Sequence, residues 1–524
     1  MKFIFIIFLG FFGLFLNNGS KAAEKINIKF EEMKIPLTID QLSKLEKYKD
    51  DSTELIDWLK NNGLIKVFEL SKFLEFPIFK EEGLNREVLR SWVGRKILTE
   101  LSKTISVPND NNGIEIFNTI ENLLDQKKAV STLDIIKAIP SKEINLDIDN
   151  LILIISSWKN ELAMQQGLIS KLNNLENVNE DNFNKSEDNF TSDLIKKNKK
   201  VYAPHRVEPF EVELWKSNKK NYDKELIIFM PGLGGEINNF KWIGNELTKR
   251  GWPIVFIDHR GSNLKAFKEV IEGKEAIPGS VDFFLYRLKD LDAVLKAHKN
   301  GKFGLPNDSY ILMGHSLGAL IALLYESNKP IDQLEERCDS ALKDFAVTNL
   351  SKLLQCQLSE IPLYEKNNVN KATAIIGFNS FGSLLWPKDY SSGIKIPTLL
   401  IGGTYDLITP LISEQFIVFS ALNNPSNRFL IIEGASHFSP IRIKNSYIKN
   451  SDLFKIDKSF IGSDPISVQD LSSKYILKFI KNIKVKESPS LIKNQREMGL
   501  DFHLLDLETI KEVSKNQYSI LGSK

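Results

Sequence analysis

The sequence predicts an α/β protein: a mostly parallel sheet flanked by helices, preceded by a mainly helical N-terminal domain. Three observations carry that expectation. Beyond about residue 204, short apolar runs alternate with amphipathic patterns, the rhythm of strand, crossover helix and strand. Before residue 170, apolar residues recur at three- and four-residue spacing. Between the two, the chain is rich in Asn, Glu, Asp, Ser and Lys and poor in residues that could build a core.

A chain of 524 residues exceeds what one hydrophobic core usually serves, so more than one folded unit is expected. Its 69 basic and 67 acidic side chains nearly cancel, and no concentrated basic stripe stands out, which argues against a nucleic-acid partner. The lysines at 196, 197, 199 and 200 read as solvated linker.

The divisions expected are a signal peptide over 1–23, a helical domain over 24–170, a polar linker over 171–203, a sheet-containing domain over 204–485 and a C-terminal extension over 486–524. Lys2 precedes an apolar run from Phe3 to Leu16, too short to cross a bilayer comfortably, and Ser20 and Ala22 supply a small-x-small cleavage pattern. Export from the cytosol follows, with an uncleaved membrane anchor as the alternative. Within the helical domain, Leu42 to Leu59 and Glu115 to Leu124 have helical periodicity, whereas Ile26 to Phe30 and Glu143 to Ile148 alternate and fit strands or extended segments.

In the sheet domain the candidate strands are Val207 to Leu214, Glu225 to Met230, Pro253 to Asp258, Ser309 to Met313, Ala374 to Asn379, Thr398 to Ile401 and Arg428 to Ile432. Several are continuous apolar runs, as parallel strands buried on both faces must be. Candidate helices fall at Asn239 to Arg250, Val281 to His298, Leu317 to Glu326 and Val468 to Lys481.

The most informative segment is Gly314-His315-Ser316-Leu317-Gly318, directly after the apolar Tyr310 to Met313 and directly before the helical run from Ala319. A strand-to-helix turn this tight strains the central serine and exposes its oxygen above a sheet, and side chains larger than glycine two residues away would collide. Ser316 is therefore the candidate nucleophile. A serine hydroxyl near neutral pH needs a base, and the base needs an orienting acid. His437 follows the apolar Phe429 to Ile432 and is the candidate base; Asp406, after the run ending at Ile401, is the candidate acid, with Asp389 as its competitor. An attacked carbonyl develops negative charge that backbone N–H groups must meet. The donors expected are Leu317, which follows the nucleophile, and Leu233, in the loop Pro231-Gly232-Leu233-Gly234-Gly235. That loop could also be a tight turn or a phosphate cradle, but Glu236 and Ile237 follow it in place of a Lys-Ser/Thr pair.

His205, His259, His298 and His315 show no metal-ligand spacing, and neither metal nor cofactor is expected. His259 ends a candidate strand, where it either shapes the loop or touches substrate; His503 lies past the expected strands. Residues 329–371 form an insertion expected to act as a cap, with Leu350, Leu353, Leu354, Leu358 and Ile361 lining an acyl surface or packing on the sheet. Both cysteines of the chain, Cys338 and Cys356, fall in it. In an exported protein they invite a disulfide, which would stabilise by about 3 kcal/mol; two buried thiols are the alternative.

With these motifs in order, residues from about Val207 to Lys484 resemble the alpha/beta-hydrolase superfamily, in the branch of predicted dienelactone hydrolases and platelet-activating-factor acetylhydrolases. The whole chain resembles the cyanobacterial type that places a signal peptide and a helical domain of unknown function before the hydrolase, in segments such as Ser131-Thr132-Leu133-Asp134-Ile135-Ile136 and those around Cys338 and Cys356. The resemblance implies cofactor-free esterase or lipase chemistry on Ser316, Asp406 and His437. Dienelactone hydrolases proper use a cysteine nucleophile where this chain has Ser316, and the acetylhydrolases take their acid after an earlier strand, which would point to Asp389.

The expected function is hydrolysis of carboxylic esters through an acyl-enzyme, on a small-molecule or lipid substrate, with association to a membrane surface open. An acyltransferase would use the same residues, and a non-catalytic binding protein could keep the same fold.

Overall fold

The computed structural model describes residues 25–30, 33–39, 77–80, 102–108, 110, 113–126, 129–175, 193–218, 224–263, 265–266, 282–306, 308–327, 333–343, 349–360, 372–387, 390–441, 463–485 and 491–514. The expected signal peptide, the helical stretch from Leu42 to Leu59, Ile361 and Asp389 lie outside them. The chain forms two compact units that divide between Ser156 and Ser157.

The first unit contains β1 (Lys25–Phe30), β2 (Met33–Thr38), β3 (Pro77–Lys80), β4 (Ile105–Ser106), α1 (Ile114–Gln126), β5 (Ala129–Ser131), α2 (Thr132–Ala138) and β6 (Glu143–Asp147). The two alternating segments are strands: β1 and β6 pair in parallel with Ile26 opposite Ile144, in a four-stranded sheet of order β2-β1-β6-β4. Alternation buries Ile26, Ile28, Ile144 and Leu146 on one face. Ser131 starts α2 through a capping box: its hydroxyl accepts from the Asp134 N–H, and the Asp134 carboxylate accepts from the Ser131 N–H.

Helix α3 (Ile148–Asn173) runs across the division, and beyond it Met164, Leu168 and Leu172 are buried in the core of the second unit. The division between the units thus falls earlier than residue 170, since the later turns of α3 belong to the core of the second unit.

The second unit is built on β7 (Leu194–Val201), β8 (Phe210–Ser217), β9 (Leu226–Met230), α4 (Lys241–Lys249), β10 (Ile254–Ile257), α5 (Asp282–Lys299), β11 (Tyr310–His315), α6 (Leu317–Glu326), α7 (Leu334–Lys343), α8 (Leu350–Cys356), β12 (Ala374–Phe378), β13 (Thr398–Gly403), β14 (Arg428–Ile432), α9 (Pro465–Val485), β15 (Ile492–Glu497), β16 (Leu500–Leu505) and α10 (Leu507–Ser514). Its sheet has ten strands in the order β15-β16-β14-β13-β12-β11-β9-β10-β8-β7. The six central strands, β10 to β14 with β9, run parallel, and the two at each edge are antiparallel to them or to each other. Apolar clusters cover both faces. In β9, Leu226, Ile228 and Met230 join one cluster while Ile227 and Phe229 join the other, which explains the uninterrupted hydrophobicity of the strand.

Three strands depart from the sequence reading. The lysines at 196, 197, 199 and 200 lie in β7, not in a linker. Lysine suits this edge position because its charge discourages further pairing while its stem covers apolar surface; Lys196 Nζ sits 3.6 Å from the Trp215 ring centroid. Residues 492–505, within the segment read as an extension, form the hairpin β15–β16 that completes the opposite edge, placing His503 inside the sheet opposite Ile431. Within the insertion, Cys338 of α7 and Cys356 of α8 form a disulfide with Cα atoms 5.5 Å apart. Leu334, Cys338, Cys356 and Leu358 pack into the core cluster on one face of the sheet.

Candidate active site

Ser316 occupies the turn between β11 and α6 at φ 52° and ψ −118°, a left-handed conformation costly for any residue with a Cβ. The surroundings hold it there: its N–H donates to Phe378 O at 2.8 Å and its carbonyl accepts from Leu320 N–H at 3.0 Å. The two flanking glycines are required by close approach. A Cβ on Gly314 would lie 2.3 Å from the Gly318 carbonyl carbon, and one on Gly318 only 1.9 Å from Met230 O. Helix α6 therefore packs its first turn directly against the end of β9, and the turn cannot relax.

Asp406 follows β13 and is fully enclosed, 1% exposed. Oδ1 accepts from the Ile408 and Thr409 N–H groups at 2.9 and 2.8 Å; Oδ2 accepts from Asn379 Nδ2 at 2.7 Å, Thr409 Oγ1 at 2.6 Å and Gln415 Nε2 at 3.2 Å. The sixth donor is His437 Nδ1, 3.0 Å from Oδ2 and 3.1 Å from Oδ1. Burial works against the charge, but His437 and the Thr409 hydrogen bonds outweigh it and hold the carboxyl below its ordinary range. A carboxylate ringed entirely by donors stays ionised and fixes the proton of His437 on Nδ1, so that Nε2 presents its lone pair.

His437 lies on the loop after β14 and is 5% exposed. It is tied to the Ser316 turn through His315: His315 Nε2 donates to the His437 carbonyl at 2.9 Å, and the two rings lie 4.9 Å apart. Burial, then the neighbouring His437, push the His315 pKa down to about 3, so this ring is neutral and its Nε2 carries a proton to donate. The loop bearing Leu233 closes on the same point. A Cβ on Gly232 would lie 3.2 Å from Ser316 Cβ and 3.1 Å from His315 Nδ1. In that loop the Gly234 and Gly235 N–H groups are committed to Ser262 O and Gly232 O, at 2.9 and 3.2 Å. Leu317 is the first residue of α6, where a helix leaves N–H groups without intrahelical partners.

The structure thus places Ser316 and Leu317, the Leu233 loop, Asp406 and His437 on four loops or turns at the carboxyl ends of the parallel strands β11, β9, β13 and β14, with Gly232 of the Leu233 loop against Ser316 and the Asp406–His437 pair tied to the Ser316 turn through His315. The sequence reading missed Asn379, Thr409 and Gln415, whose side chains hold the Asp406 carboxylate. Asn379 could have been found at the end of β12 and Thr409 in the Asp-x-x-Thr spacing; nothing marks Gln415.

The other histidines have structural surroundings. His259 Nδ1 and His205 Nε2 both meet the buried carboxylate of Asp290, at 3.1 and 2.8 Å. His298 stacks near Phe303, and His503 Nε2 lies 2.9 Å from Glu433 Oε1. Among the described residues, no group of three or more His, Cys, Asp or Glu side chains could hold a metal ion. No helix among them is long and apolar enough to cross a membrane.

Two family models match the chain. One, described as an alpha/beta hydrolase of unknown function, covers residues 22–147. The other, described as serine aminopeptidase, covers residues 222–335, which include the Leu233 loop and the Ser316 turn. No curated protein matches the chain. With the ten-stranded sheet, the serine on its strained turn and these matches together, the chain has the alpha/beta-hydrolase fold, and the matches support a hydrolase of the serine type.

Proposed function

We propose that the protein hydrolyses carboxylic esters through an acyl-enzyme on Ser316, with His437 as general base and Asp406 as its orienting acid. The observation that carries the reading is the joining of the strained Ser316 turn to the Asp406–His437 pair through the His315 hydrogen bond to the His437 carbonyl. In the acylation step the Ser316 oxygen bonds to the carbonyl carbon while its proton passes to His437 Nε2. The carbonyl oxygen takes the negative charge in front of the Leu233 and Leu317 N–H groups. Collapse expels the alcohol, which leaves with the proton from His437. Water then attacks the acyl group by the same route in reverse, and the carboxylic acid departs.

The resemblance to dienelactone hydrolases and platelet-activating-factor acetylhydrolases supports an ester over other acyl groups. The Cys338–Cys356 disulfide supports an oxidising, extracytoplasmic location. The match to a serine aminopeptidase model favours a second reading, hydrolysis of an amide bond by the same residues. Turnover of p-nitrophenyl esters of graded chain length is compared with that of amino-acid p-nitroanilides, using wild type and Ser316→Ala. Serine-dependent ester turnover with no anilide turnover is the expected result; the reverse would replace the ester reading with the amide one.

A further inference from the structure

Arg287 sits on α5 and is 1% exposed; among the described residues its hydrogen bonds go to neutral acceptors, while the Asp290 and Asp258 carboxylates lie near enough to offset part of the cost of burying its charge. Its guanidinium is spent on two segments of backbone. Nη1 donates to Pro231 O at 2.6 Å, Nη2 to Gly232 O at 2.9 Å and to Ser262 O at 3.2 Å, and Nε to Ser262 Oγ at 2.8 Å. Burying a guanidinium without an anionic hydrogen-bond partner is costly, so its retention calls for a reason beyond packing. Burial lowers its pKa to about 9, which leaves every donor in place at neutral pH.

The geometry of the peptide unit supplies the reason. In a planar trans peptide the C=O and the following N–H point in opposite directions. Fixing Gly232 O on Arg287 therefore aims the Leu233 N–H away from the guanidinium. The same residue, Gly232, closes on the nucleophile turn, since a Cβ on it would point at Ser316 and His315. Ser262 completes the brace, since the carbonyl that accepts from Arg287 also accepts the Gly234 N–H. A cation on the carbonyl further polarises the amide and strengthens its N–H as a donor.

We propose that Arg287 is a positioning residue for the oxyanion-binding amide: it clamps the Pro231 and Gly232 carbonyls so that the Leu233 N–H faces the oxygen developing charge at Ser316. The inference rests on the reading of Ser316 as nucleophile and Leu233 as oxyanion donor. Arg287 does not touch substrate.

The test uses the full chain and the rate of covalent labelling by a fluorophosphonate, whose phosphoryl oxygen takes the place of the oxyanion. The rate is measured across pH for wild type, Arg287→Lys and Arg287→Ala, the last with and without added guanidinium ion. Losing one oriented donor lowers the plateau rate by about a hundredfold. The midpoint of the pH profile stays where it was, because the Asp406–His437 pair is untouched, and guanidinium ion restores part of the Arg287→Ala rate. A merely structural Arg287 would not give that split. If the Arg287 variants lose their fold by circular dichroism, Ser262→Ala, which removes the Nε acceptor and the long hydroxyl hydrogen bond to His259 O but leaves the three carbonyl contacts of Arg287 in place, gives a smaller fall in plateau at unchanged midpoint. Folded variants that label at the wild-type rate, or a shifted midpoint, overturn the positioning role alone. Absence of labelling in wild type overturns the reading of the site, and this inference with it.

Discussion

Asp406→Asn is the substitution whose consequences the structure specifies most fully. All six groups around the carboxylate are donors to it: two backbone N–H groups on Oδ1, three side chains on Oδ2, and His437 Nδ1 shared between them. An amide keeps one acceptor. If its oxygen stays on the Ile408 and Thr409 N–H groups, its NH2 faces Asn379 Nδ2, Gln415 Nε2 and His437 Nδ1. Thr409 Oγ1 can rotate, since it already lies 3.1 Å from Asn379 O, but His437 can comply only by becoming an acceptor at Nδ1. Its proton then moves to Nε2, where no lone pair remains for Ser316. The comparable change in the Ser-His-Asp template costs about 10⁴ in rate, equivalent to about 5 kcal/mol of transition-state stabilisation. The two stranded amide donors cost about 1–3 kcal/mol each in stability, so the urea midpoint falls as well. The assay is the second-order rate of fluorophosphonate labelling with Asp406→Asn and Asp389→Asn in parallel. A folded Asp406→Asn variant that labels within about tenfold of wild type, or an equally large loss in Asp389→Asn, refutes the assignment of the acid.

Three further outcomes are expected. Burial and Arg287 push His259 down to about 4, and burial and His437 push His315 down to about 3. Unfolded histidines protonate near pH 6.5, so both contributions are present in full above that pH and are lost as pH falls toward 4. Asp290 and Asp406, whose pKa values are lowered, act only at more acid pH. Urea midpoints at pH 7 and 5 should therefore differ, and His259→Gln should narrow the difference. Reducing the Cys338–Cys356 bridge, which spans 18 residues, should cost about 3 kcal/mol by loop-closure entropy, read as the shift in unfolding free energy between Cys338→Ser/Cys356→Ser and wild type. Glu414 is fully buried and accepts from Asn349, Gln355, the Gly382 and Ser383 N–H groups and the Ser383 hydroxyl. Glu414→Ala strands these donors and should cost about 4 kcal/mol in chemical denaturation.

Much of the site could be read in the sequence because its chemistry sits where periodicity changes. The apolar run of β11 gives way to the helical pattern of α6 across Gly314 to Gly318, and Asp406 and His437 each follow a continuous apolar strand. The parts that escaped are those whose residue types mislead. In β7, lysine reads as solvated linker, whereas an edge strand needs such charge. The β15–β16 hairpin turns through Met498 and Gly499 at φ 53° and 78°; methionine replaces the Asn or Asp that usually announces such a turn. Arg287 looks like the polar side of α5. Only the fold shows that Pro231, Gly232 and Ser262 bring their carbonyls to it, because those residues are far from it in sequence.

The central claim is an activated serine at position 316. Its most direct test is incubation of purified protein with a fluorophosphonate, followed by peptide mass spectrometry of wild type and Ser316→Ala. A single adduct on Ser316, absent from the folded alanine variant and greatly slowed in His437→Ala, is the result expected. Folded wild type that takes no label, or a label that persists in Ser316→Ala, would contradict the account.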